Sequence, residues 1–144
     1  METLNPSAKV VSSATLKRDL MKKFAEEFQQ VKSSVTDIPG KISFTMDGWT
    51  SKNIFPFVNI RAHWIDGEWQ SQSILLEFAE IHNEHSGDNL CKIFFKCLDR
   101  YGISVSKILG ITLDNASNND TFVTSFINEL SIQGVNISID DIHV

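Results

Sequence analysis

The hydrophobic period changes twice along this chain, from helical to alternating at Pro39-Gly40 and back to helical at Ser86. A chain that reads helix, strands, helix, strand, helix has to bury stripes of helix against one face of a sheet. Leu16, Leu20, Phe24, Phe28 and Val31 recur at helical spacing behind Ser12 or Ser13 as a cap, and the pattern fades at Ser33-Ser34. This stripe needs a surface, either the sheet that follows or a further domain. Beyond the Pro39-Gly40 turn, Ile42, Phe44 and Met46 share one face of a strand predicted over Lys41–Asp47. Val58, Ile60, Ala62 and Trp64 do the same in a second strand over 55–65. Asp66-Gly67 predicts a hairpin into a third strand over 68–81, bent near its middle.

Ser86 then caps a helix whose stripe is Leu90, Phe94, Cys97, Leu98 and Tyr101, closed by Gly102. Lys107–Leu113 is a short, nearly all-apolar strand of the kind covered on both faces. Phe122, Val123, Phe126, Ile127 and Leu130 mark a last helix that stops before Gly134, and 135–144 reads as an extended segment. Residues 1–12 are polar, unpatterned and expected to be disordered. The order β-β-β-α-β-α gives a three-stranded antiparallel meander. A crossover helix then brings the fourth strand parallel to the first and beside it. The C-terminal ends of the first and fourth strands become neighbours, and that is where chemistry is expected.

Composition excludes more than it assigns. A length of 144 residues suffices for one domain with a core, and 42% hydrophobic with 22% charged residues is ordinary for a globular chain. A net charge of −5 argues against holding nucleic acid by phosphate neutralisation alone. The basic cluster Lys17, Arg18, Lys22 and Lys23 is interleaved with Asp19, Glu26 and Glu27 and reads as a solvated helix face. Cys91 and Cys97 stand six apart on a helix, badly placed for a disulfide with each other and without zinc-site spacing. No apolar run is long enough to span a membrane, and residues 1–11 lack the form of a signal peptide. A reduced, intracellular chain with no membrane partner is the expectation.

Two aspartates carry the chemical interest. Asp47 ends the predicted first strand and Asp114 the fourth. On neighbouring strands their carboxylates would lie about 5 Å apart. Two carboxylates that close repel unless a cation sits between them, and a hard ion such as Mg²⁺ takes oxygen ligands of this kind. The spacing equally allows cap and turn roles, since Asp is common where a strand meets a loop and Asp47-Gly48 is a plausible turn pair. Asn115, Asn118 and Asn119 stand open in the same way, as caps or ligand contacts. Trp49 could stack on a base or pack under the loop, and Lys52 and Arg61 could reach phosphates. His82 and His85, three apart, have no evident third metal ligand.

The segments Ser43-Phe-Thr-Met-Asp-Gly-Trp-Thr-Ser51, Ala62-His-Trp-Ile-Asp66, His85-Ser-Gly-Asp-Asn-Leu90 and Thr112-Leu-Asp-Asn-Ala-Ser-Asn-Asn119 occur in this order. Together they resemble the front of the catalytic domain of hAT-superfamily DNA transposases, including the zinc finger BED and ricesleeper-like members. Ser13-Ala-Thr-Leu-Lys-Arg-Asp-Leu20 resembles the segment preceding that domain. The resemblance implies a partial ribonuclease H-like α/β fold, with an N-terminal helical segment at 13–38 and a truncated ribonuclease H-like domain at 39–144. It further implies Mg²⁺- or Mn²⁺-dependent cutting and rejoining of DNA at transposon ends. Asp47 matches the first acid and Asp114 the second, as catalytic residues and metal ligands. The third acid, a Glu, is expected downstream of a helical insertion, so the isolated chain is expected to be a fragment or remnant without activity. His143-Val144 resembles the approach to a Cys-x-x-His motif. Nuclear location and homo-oligomerisation through a C-terminal region are implied likewise. The alternative is a transposase-derived module that binds DNA or protein without catalysis.

Overall fold

The computed structural model describes residues 11–50, 56–81, 86–114 and 116–135. The expectations for the N-terminus up to Val10 and for the extended segment from Asn136 onward, His143 included, lie outside the described residues. The chain divides into two compact units, Met1–Ser34 and Val35–Val144.

Helix α1 (Ser13–Thr36) makes up most of the described part of the first unit. Ser12 caps it: its hydroxyl accepts from the Thr15 N–H at 3.2 Å and its carbonyl from the Leu16 N–H at 2.9 Å. The helix runs through Ser33-Ser34, where the apolar pattern fades. Ser34 donates its hydroxyl back to the Gln30 carbonyl at 3.0 Å, the i−4 bond by which a serine is accommodated inside a helix. Lys23 and Glu27, one turn apart, pair at 2.6 Å. Phe24 stacks on Phe28, and Leu16, Leu20 and Phe24 are exposed.

The second unit is built on a four-stranded sheet of order β3-β2-β1-β4, from β1 (Ile42–Thr50), β2 (Pro56–Ile65), β3 (Ser71–Glu80) and β4 (Ile108–Leu113). β1 to β3 form the antiparallel meander and β4 lies parallel to β1, as the order of periods predicts. β1 outruns its predicted end by three residues, because Gly48, Trp49 and Thr50 keep pairing with Val58, Phe57 and Pro56. Asp47 therefore lies within the ladder to β2, and Asp47-Gly48 forms no turn.

The β2–β3 hairpin forms at Asp66-Gly67, as the sequence predicts. The Trp69 N–H donates to the Asp66 carbonyl and the Asp66 N–H to the Gln70 carbonyl, a three-residue loop. Its left-handed position falls on Trp69 (φ 59°) and not on Gly67. β3 is bent, as predicted, by a bulge. Ile60 faces Glu77 and Arg61 faces Leu75, which leaves buried Leu76 as the extra residue.

Helix α2 (Gly87–Tyr101) is capped by Ser86, whose hydroxyl accepts from the Asn89 N–H at 3.4 Å, and closed by Gly102 in the left-handed region (φ 70°). A short 3₁₀ turn (Val105–Lys107) leads into β4, and helix α3 (Ala116–Ile132) follows. Phe44 of β1 meets Phe94 of α2 edge-on at 5.2 Å, and Phe94 in turn meets Phe122 and Phe126 of α3. These rings, with Ile42, Met46, Ile60, Leu98 and Ile111, are buried and form the core on one face of the sheet. Lys107 ties the entry to the domain. Its ammonium donates to the carbonyls of Thr36 and Ile38, each at 2.7 Å, and Val35 and Ile38 of the same segment are buried. Among the described residues no helix is long and apolar enough to cross a membrane.

Candidate metal centre

Alternation in β1 sends Ile42, Phe44 and Met46 into the core and Ser43, Thr45, Asp47 and Trp49 to the opposite face. Pairing with β4 stops at Met46 and Leu113, so Asp47 and Asp114 are the next residue on each strand. Parallel neighbours stand about 5 Å apart. One hydrogen bond ties the two together: the Gly48 N–H donates to the Asp114 carboxylate at 3.3 Å. Both aspartates are exposed. Across the other side of β1, Asp47 faces Asn59 of β2. The Asn59 side-chain oxygen is buried and accepts no hydrogen bond. The row Asn59, Asp47, Asp114 thus lines up oxygen-bearing side chains on three adjacent strands.

This donor set suits a hard divalent ion. Two carboxylates supply charge, and the oxygens of water and a substrate phosphate complete the shell of an ion such as Mg²⁺. An amide oxygen without a donor, next to Asp47, belongs to the same class of hard ligand. Among the described residues no group of three His, Cys, Asp or Glu gathers anywhere, and at this site there are two carboxylates, Asp47 and Asp114. His82, His85, Lys52 and Asn115 lie outside the described residues, as do the side chains of Asn118 and Asn119.

Trp49 does pack, but on the sheet. Its ring lies 6.1 Å from Phe57 and 5.3 Å from Phe78, and those two rings stack at 5.4 Å. The indole remains 40% exposed and Phe78 55%. Arg61 is exposed on the same face, opposite Thr45, and Thr45 shares a hydrogen bond of 3.1 Å with His63. Sequence reading singled out neither Asn59 nor the partnership of Phe57 and Phe78. The available signal was phase: Phe57 occupies a position where β2 otherwise alternates toward Asn59, Arg61 and His63.

Cys91 and Cys97 are buried on α2, and burial pushes both thiols up to about 12. Neither is a thiolate at neutral pH. A groove of about 460 Å³ between α2 and α3, lined by Asp88, Lys92, Phe95 and Ser125 among others, includes neither aspartate of the pair.

Comparison of the sequence with known proteins assigns the chain to a family. A family model described as ZBED1 RNase-like domain covers residues 45–139. A putative AC transposase of Zea mays is 28% identical over 140 residues, which is 97% of this chain and 17% of that protein. The zinc finger BED domain-containing protein DAYSLEEPER of Arabidopsis thaliana is 28% identical over 83% of this chain and 17% of its own length. A putative transcriptional regulator, tpeD, of Talaromyces stipitatus is 27% identical over 96% of this chain and 16% of its own length. The chain therefore spans about a sixth of the length of these relatives.

Proposed function

Because the chain belongs to the ZBED1 RNase-like domain family, with the hAT-type transposase relationship its motifs imply, we propose that it forms the front of a DNA strand-transfer domain. In this reading Asp47 and Asp114 are the catalytic metal ligands, DNA ends are the substrate, and the nucleus is the place of action. The observation that supports it is the Gly48 amide bonded to the Asp114 carboxylate, one residue from Asp47. It fastens Asp114 to the residue after Asp47, where the pairing of the adjacent parallel strands β1 and β4 stops.

A bound Mg²⁺ or Mn²⁺ would supply activation of the attacking oxygen and stabilisation of the leaving oxygen. The chain's own residues bind and orient. The backbone of Asp47 is held by a strand paired on both sides up to Met46, and the Asp114 carboxylate by its bond to the Gly48 N–H. In a full-length relative, changing the residue matching Asp47 or Asp114 to Asn removes strand cleavage, at least a thousandfold in rate, with the circular dichroism spectrum and melting temperature nearly unchanged. Cleavage retained in either variant would refute the assignment.

A second reading is favoured by the relative named as a transcriptional regulator: a transposase-derived module that binds DNA or protein without cutting. It differs in one measurable respect. Binding by such a module is indifferent to Mg²⁺ and to the same two substitutions.

A further inference from the structure

We infer that α1 of one copy of this chain docks in the groove between α2 and α3 of a second copy, and that the exchange is reciprocal. Both surfaces are bare in the single chain. On α1, Leu16, Leu20 and Phe24 stand at successive i+4 positions and form one unbroken ridge, with Met21 beside it. These four side chains are 58–66% exposed. Most of a helix's stability in a protein comes from packing its apolar face, and this face has nothing on it. Four such side chains expose roughly 400 Å² of apolar surface, a patch that a lone soluble chain rarely leaves open.

The groove of α2 and α3 offers the matching surface. Apolar lining from Phe95 and Ile132 is bordered by charge of both signs, from Asp88, Lys92, Asp99 and Glu129. The Ser125 hydroxyl donates from α3 to the Asp88 carboxylate of α2, which fixes the two walls before anything docks. A ridge of i+4 side chains fits between helical rows of this kind. Charge selects a second copy as the occupant. The unit ending at Ser34 carries six basic and four acidic residues, and the unit beginning at Val35 carries seven and fourteen. A positive helix is thus drawn to a negative unit, whereas two α1 helices would set Lys17, Arg18, Lys22 and Lys23 against their own kind. Each contact covers about 800 Å² counting both sides, so two related by a two-fold axis reach about 1,600 Å², the size of a stable specific interface.

Sedimentation equilibrium of the 144-residue chain and two variants tests this, with Phe24→Asp spoiling the ridge and Ile132→Asp the groove. Both positions are exposed, so each variant is expected to keep the parent's circular dichroism. The parent is expected to be a dimer at micromolar concentration, and each variant alone to dissociate at least about tenfold more readily. Mixing the two variants restores a dimer, because the sound helix of one meets the sound groove of the other. That dimer has one intact contact and is weaker than the parent. A monomeric parent overturns the inference. So does a dimer that outlasts either substitution, and so do mixed variants that stay apart, as they would if α1 paired with α1. The readout needs neither metal nor DNA, so it stands or falls independently of the strand-transfer reading.

Discussion

Asp66 closes the β2–β3 hairpin through its side chain as much as its backbone. One carboxylate oxygen accepts from the N–H groups of Glu68 and Gln70, each at 2.9 Å, and the other from the Gln72 amide at 2.7 Å. The Gln70 N–H above all, then the Gln72 amide, holds this carboxyl below its ordinary value near 3.8. A depressed folded pKa stabilises above the unfolded value and is lost as pH falls through the folded one. Asp66→Ala should therefore lower the melting temperature at pH 7. The gap to the parent chain should narrow steadily once the pH drops below 3.8. A gap that persists unchanged in acid would show that the charge contributes nothing. The bulk displayed next door has a cost: Trp69 holds a left-handed backbone, disfavoured by about 1–2 kcal/mol for a residue with a β-carbon. Nothing in the local pattern pointed to it, since Asp66-Gly67 marks the hairpin without marking which of its residues turns left-handed. Asp47 shows the same limit. Gly48 has no side chain to continue the alternation, so the strand looked finished where its ladder in fact runs on.

At the scale of elements, α2 is fastened to the sheet by its last turn. The Tyr101 hydroxyl donates to the Leu76 carbonyl at 2.9 Å, the residue that the bulge inserts into β3. Arg100 pairs with Glu77 at 2.6 Å, one position further along. Removing the hydroxyl leaves the Leu76 carbonyl short of this donor in a buried place, so Tyr101→Phe should cost about 1–2 kcal/mol in chemical denaturation. Arg100→Ala, at a more exposed pair, should cost less. Helix and strand types in the second unit were legible because burial of one face imposes a period: Phe122, Phe126 and Leu130 in α3, Ile42, Phe44 and Met46 in β1. The ring cluster was not legible. Trp49, Phe57 and Phe78 become neighbours only through the register of three strands, and the bulge at Leu76 helps set which β3 side chain faces which way. Local sequence carries no record of that pairing.

At the scale of the molecule, the cation proposed at Asp47 and Asp114, the residues that follow the last paired positions of β1 and β4, should be visible as added stability. Wild-type protein in Mg²⁺ at ten times the dissociation constant should gain about 1.4 kcal/mol of stability. Asp47→Asn should lose that gain while melting normally without metal. Equal stabilisation of both proteins would place the ion elsewhere. The neighbouring of Asp47 and Asp114 followed from topology alone, since a crossover after a meander brings the fourth strand beside the first. The bond that fastens them joins residues 66 positions apart. The hairpins of the meander close over short stretches of chain and form early, whereas β4 must wait for α2 to carry it back across the sheet. The acid pair is thus among the late arrivals of folding. An ion that needs both carboxylates recognises finished molecules only: it slows their unfolding and leaves the speed of folding untouched.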